Sequence, residues 1–229
     1  MTDGREQLDR SVWSALTTHW APRAEGDARA WRLARDYGVF GAAADRSAVS
    51  LAALAALVPE DGELWTVERE DWPAPRGTRY LRRADCVQMA CDALTSADPP
   101  TFDIVDLTED DAPAMYDLAI LTQPGPYAAH TNRLGDFIGV KQKGRLVAMA
   151  GERMKMPGLS EVSGVCTHPD HRGQGYAGAL MRVVAERMIA RGETPWLHAY
   201  ASNTGAIALY ESLGFRHHAV SIASVLVRA

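Results

Sequence analysis

The sequence predicts an α/β (α+β) protein, a mixed and mostly antiparallel sheet flanked by helices, preceded by a mainly helical region over residues 1–98. Three observations carry this expectation. Residues 137–167 read as three strands joined by tight turns, an antiparallel meander. At residues 172–177 the apolar pattern changes from period two to period 3.6 across a glycine-rich loop. A further strand, a short helix and an apolar run ending at Val227 follow that helix.

A chain of 229 residues has ample length for a core, and 47% hydrophobic with 23% charged residues describes an ordinary globular composition. The formal net charge of -5 argues against a nucleic-acid partner bound by phosphate neutralisation. Cys86, Cys91 and Cys166 are odd in number and lack metal-ligand spacing, so reduced, buried thiols are expected, with no disulfide framework and no metal. The polar start leads to no apolar leader segment, and the longest apolar run, residues 51–58, is too short to cross a bilayer. A cytoplasmic protein without a membrane partner is expected.

In the N-terminal region Leu8, Val12 and Leu16 suit an amphipathic helix ending before Pro22. A second helix is expected over residues 28–35, and Ser47 can cap a third that runs to Val58. Two strands, residues 63–69 and 78–83, flank a breaker-rich segment. Asp98-Pro99-Pro100 reads as a domain boundary, with residues 99–229 forming the second unit.

There, residues 101–107 read as a strand, and Thr108-Glu109-Asp110-Asp111 opens a helix that continues to about Leu121. The hairpin over residues 137–154 turns at Lys143-Gly144, and Pro157-Gly158 leads into the strand that begins near Glu161. Strict alternation in that strand puts Val162, Gly164 and Cys166 on one face, with Glu161, Ser163, Val165 and Thr167 on the other. Ala177, Leu180, Met181, Val184 and Met188 form the apolar stripe of the next helix, and Gly192 ends it. Glycines just before its first turn let an anion approach amides that have no intrahelical partner.

Arg172-Gly173-Gln174-Gly175-Tyr176-Ala177 resembles the acyl-CoA signature Gln/Arg-x-x-Gly-x-Gly/Ala of the GNAT superfamily of N-acetyltransferases. Asn203, Tyr210 and the closing Leu213-Gly214-Phe215 stand where that family has its second motif, so the resemblance covers about residues 101–227. It implies acetyl-CoA as acyl donor. Val165, Cys166 and Thr167 would lie on a strand that splays from the strand at residues 196–201, with pantetheine in the gap. Arg172, Gly173, Gln174, Gly175, Tyr176 and Ala177 would take the pyrophosphate, and Asn203 would reach the donor or simply cap its helix. Tyr210 would be the general acid toward the CoA sulfur, or part of the apolar stripe with Ile207 and Leu213.

The expected reaction is direct attack by a primary amine, with no acyl-enzyme on Cys166. Glu161 is the candidate general base because an amine must lose a proton to attack, and a partly buried carboxylate could accept it. The competing reading is a solvated charge at a strand end. His198, Tyr200, His168 and His171 are further candidate bases. Tyr127, His130, Arg133, His198 and Tyr200 are weak candidates for contact with the acceptor. A dinucleotide site fails because Tyr200 and Ala201 stand where an acidic residue is expected, and a Walker loop lacks Gly-Lys-Ser/Thr. The competing function is an acyl-CoA-binding sensor module without turnover. The acceptor stays open between a small-molecule amine and a peptide amine.

Overall fold

The structure is a computed structural model that describes residues 4–229. Residues 1–3, part of the polar start on which the expectation of no leader rests, lie outside the described residues. A 3-10 turn over Arg5–Arg10 leads into α1 (Ser11–Leu16), which buries Val12, Ala15 and Leu16. Then come β1 (Ala24–Asp27), β2 (Ala30–Leu33) and β3 (Gly41–Ala43), which form a small antiparallel sheet in that order. Helix α2 (Ala48–Leu57) starts at the expected cap, where Ser47 Oγ accepts from Ser50 N at 3.2 Å. Strands β4 (Leu64–Glu68) and β5 (Thr78–Ala90) follow.

The helix expected over residues 28–35 is corrected to strand β2. Asp27 accepts from Arg29 N at 2.9 Å, a tight turn that sends Ala30–Leu33 back along β1 with Ala30 and Leu33 buried. Eight residues of mixed polarity fit either period, and the turn decides. Residues 4–98 therefore carry five strands and are not mainly helical.

The second half contributes β6 (Val105–Asp106), α3 (Ala112–Thr122), β7 (Phe137–Gln142), β8 (Arg145–Met156) and β9 (Leu159–Thr167). After these come α4 (Tyr176–Ala190), β10 (Thr194–Tyr200), α5 (Thr204–Leu213) and β11 (Arg216–Arg228). The main sheet has eight strands in the order β4-β11-β5-β10-β9-β8-β7-β6, and its neighbours are antiparallel except for β9 and β10. Strands β4 and β5 thus belong to the sheet of the later half. The boundary expected at residues 98–100 does not separate two sheets, because pairing such as Thr78↔Arg228 leaves no local signature in sequence.

Alternate residues of the central strands divide between two cores. Leu197 and Ala199 pack with Leu180, Met181 and Val184 of α4, whereas Trp196 packs with Val12, Leu16 and Trp20 of the N-terminal segment. Arg10 ties that segment down, donating Nε and Nη2 to the Glu68 carboxylate, both at 3.0 Å, and to the carbonyls of Ala43 and Ala44. No helix among the described residues is long and apolar enough to cross a membrane.

Candidate active site

Strands β9 and β10 run parallel and pair only from Thr194↔Leu159 to Trp196↔Glu161. Beyond that point β9 stays with β8 through Cys166↔Met149, and β10 stays with β5 through Tyr200↔Cys86. Backbone groups on the facing edges of residues 163–167 and 197–200 have no ladder between them. Gly173 and Gly175 hold φ of 77° and 78°, and no side chain caps the first turn of α4. Nothing lies within 4 Å of where a Cβ would stand on either glycine, so the approach to the opening amides is clear.

The parted strands and the α4 N-terminus line one cleft of about 540 Å³. Val165, Cys166, Thr167, Arg172, Gly173, Gln174, Gly175, Tyr176, Ala177, Asn203 and Tyr210 all border it. The Tyr176 ring is buried against Phe102, and its hydroxyl donates to Gln174 Oε1 at 2.8 Å, so Tyr176 brings mainly backbone to the cleft. Asn203 caps α5, with Oδ1 accepting from Ala206 N at 3.3 Å. Burial pushes the Cys166 thiol up to about 11, which makes it a poor nucleophile.

A second cavity, about 120 Å³, lies on the face covered by the N-terminal segment. Phe40, Trp65, Val67 and Met154 give it apolar walls, and Arg153, His198 and Tyr200 give it polar ones. The two cavities share Pro124, Tyr200, Asn203 and Tyr210. Tyr210 therefore stands at their junction, and burial raises the pKa of its hydroxyl.

Glu161 lines neither cavity. Its side chain is 1% exposed, and both oxygens are engaged. Arg153 donates Nε to Oε2 and Nη2 to Oε1, each at 2.9 Å, Met154 N donates to Oε2, and His198 Nδ1 lies 3.1 Å from Oε1. Burial pushes this carboxyl up, but the Arg153 charge and the hydrogen bonds from His198 and Arg153 outweigh it and hold it at about 2. A carboxylate so acidic is a poor base near neutral pH. The expectation that Glu161 faces the splay with Val165 is corrected by a bulge. Between Ser163↔Gly151 and Cys166↔Met149, β9 has one more residue than β8, and Gly164 takes φ of 63°. Alternation therefore reverses: Val162 and Val165 both pack toward α4, whereas Cys166 packs toward α3.

His198 is fixed from both sides. Nε2 lies 3.1 Å from Gln88 Nε2, which also donates to Leu8 O at 2.9 Å. Gln88 Nε2 can only donate, so His198 Nε2 accepts and Nδ1–H points to Glu161. Of the weak acceptor candidates, His198 and Tyr200 border the second cavity. Tyr127 packs on Phe137, His130 packs on Tyr37, and Arg133 pairs with Glu109, all three away from it. His171 borders the donor cleft, whereas His168 receives a hydrogen bond from Asp170 N. Sequence reasoning missed Arg153, because a regular hairpin about Pro157-Gly158 sets Met154 opposite Glu161, and only the register shift between Glu152↔Val162 and Lys155↔Ser160 brings Arg153 beside it. For Phe40, Trp65 and Val67 no local signal existed.

Residues 137–223 match the FR47-like protein family. Over 118 residues the chain is 31% identical to the [ribosomal protein bS18]-alanine N-acetyltransferase of Escherichia coli strain K12, spanning 49% of this chain and 79% of that one. It is 47% identical, with a TM-score of 0.88, to a structure from Novosphingobium aromaticivorans assigned to the GNAT acetyltransferases, covering 97% of this chain and 98% of the other. The chain belongs to the GNAT superfamily of N-acetyltransferases. GNAT enzymes are acyltransferases that use acetyl-CoA, and the mixed sheet flanked by helices is the GNAT fold. A GCN5-related N-acetyltransferase from Kribbella flavida shares that fold at 18% identity, with a TM-score of 0.66, over 100% of this chain and 96% of its own.

Proposed function

We propose that this protein moves the acetyl group of acetyl-CoA to a primary amine by direct attack. The supporting observation is the junction at Tyr200, Asn203 and Tyr210, where a cleft suited to the donor meets a cavity suited to an acceptor. The open amides of α4 and the Arg172–Ala177 loop hold the pyrophosphate, and the unpaired edge of β9 binds pantetheine and polarises the thioester carbonyl. The amine approaches from the second cavity. A C–N bond forms as the C–S bond breaks, the amine proton passes to His198, which borders the second cavity, and Tyr210 protonates the sulfur.

Glu161 acts here as the positioning group that keeps His198 in its Nδ1–H tautomer, as an orienting carboxylate does in a catalytic triad. Burial keeps the Tyr210 hydroxyl protonated at neutral pH, the state an acid needs. A cytoplasmic setting, where acetyl-CoA is available, belongs to this reading. The test is free-thiol release from acetyl-CoA across a panel of amines, with His198→Ala in parallel. Turnover that falls by roughly 10²–10⁴ in the variant, at unchanged donor affinity, supports the reading. Donor binding with no thiol release for any amine would make the protein a binding module instead.

A further inference from the structure

The acceptor cavity draws part of its wall from outside the segment that matches the FR47-like family. Phe40, Trp65, Val67, Cys86 and the 124–126 loop lie outside residues 137–223, whereas Arg153, Met154 and His198 lie inside, as do residues 165–178 and 200–210 of the donor cleft. The family match alone therefore does not name the acceptor. The acceptor has to be read from the cavity's own chemistry.

At about 120 Å³ the cavity is small. A cavity of roughly 150 Å³ holds a benzene molecule, so the space suits a single compact group. No Asp or Glu side chain lines it, and the charged residue on its wall is Arg153. That guanidinium is held along one edge, with Nε and Nη2 on Glu161, and lies over the Phe40 ring at 4.9 Å. Among the described residues nothing accepts from Nη1. The neutralising carboxylate sits behind it, 1% exposed and off the cavity wall. A cation clamped along one edge and stacked on a ring presents its remaining N–H groups as fixed donors for a planar anion.

We infer that the acceptor is a small primary amine carrying its own carboxylate, an amino-acid-sized zwitterion with a compact apolar side group, and that Arg153 Nη1 binds that carboxylate. This rests on the acetyl-transfer reading above. A polyamine or an aminoglycoside would bring extra ammonium charges to a wall with a guanidinium and no carboxylate, which selects against it. A lysine side chain or protein N-terminus has no carboxylate beside its amine. The nearby positive charge also favours the neutral form of the amine, the form that attacks.

The experiment measures thiol release from acetyl-CoA by the full chain with free alanine, valine and leucine, with their carboxamides, with spermidine, and with a short peptide that begins with the best of the three. The free acids should exceed their amides by roughly 10- to 100-fold in kcat/KM, the range of a charge-assisted hydrogen bond. Arg153→Lys keeps a cation beside Glu161, so the buried carboxylate is not left unpaired, yet it removes the second donor edge. In that variant the acid-to-amide ratio should fall toward one while the KM for acetyl-CoA stays unchanged, which a purely structural role would not produce. Equal rates on acids and amides, preference for spermidine or the peptide, or an unchanged ratio in Arg153→Lys would each overturn the inference and leave acetyl transfer standing. Thiol release with none of the panel would overturn both readings.

Discussion

Gly175, Tyr210 and Glu161 each concentrate one physical effect at a single residue. Gly175 sits at φ 78° with open space beside it, so Gly175→Glu adds strain, bulk and a negative charge where an anion is to bind. Acetyl-CoA binding by calorimetry should be lost, and wild-type affinity would show that the donor site lies elsewhere. Tyr210→Phe keeps the ring beside Phe215 and removes only the hydroxyl, so melting should barely change. A thiol resembling cysteine has a pKa near 8.5 and is already a tolerable leaving group, so turnover should fall by about 10²-fold or less. The deficit should shrink with a donor whose thiol is more acidic; an equal deficit on both donors would mean that the hydroxyl positions the donor. Glu161 is held at about 2 against an ordinary 4.5. A carboxyl whose pKa is lower in the folded state contributes its full stabilisation above about pH 4.5 and loses it as pH falls toward 2, in total roughly 3 kcal/mol. Urea melts of wild type and Glu161→Gln across that window should converge by about this amount, and parallel curves would count against the buried ion pair.

At the scale of elements, the donor half was legible because its signals are local. The β7-β8 hairpin, the capping box, in which Asp111 accepts from Thr108 N at 3.1 Å, and the strand-loop-helix around Gly175 each lie within a few adjacent residues. Where the reading failed, one residue changed the register. Strict alternation treats Gly164 as an ordinary strand position, yet its positive φ inserts the bulge that turns Val165 to the α4 side, and a glycine inside a strand pattern is itself a signal for such a bulge. A Cβ at this position would stand 2.8 Å from Phe137 Cε1 as well as in the left-handed region. Gly164→Ala should therefore cost about 1–3 kcal/mol in denaturant unfolding and weaken donor binding. A neutral effect on both would show that the bulge does not shape the cleft. The acceptor walls had no comparable signal, since Phe40, Trp65 and Val67 are ordinary apolar residues brought to His198 only by distant pairing.

For the whole molecule, the decisive feature is that β5 lies between β10 and β11. A fragment lacking residues 1–98 would leave β11 without either partner strand, expose one edge of β10 and uncover Trp196, so it should be aggregated or unfolded by circular dichroism and should not bind acetyl-CoA. A folded, binding-competent fragment would contradict this. The same placement has a consequence for biosynthesis. Strand β5 ends at Ala90, while its partner β11 runs to Arg228. At roughly 5–20 residues per second, β5 waits about 7–28 s after its own synthesis before that partner is finished. Until β10 and then β11 emerge, its last residues, Val87, Met89 and Ala90, have no ladder to join, whereas Arg79, Arg82, Arg83 and Asp85 keep its first half from pairing with other nascent chains. Yield in rapid, high-level expression should therefore depend on how long residues 87–90 stay uncovered, even where the finished protein is stable.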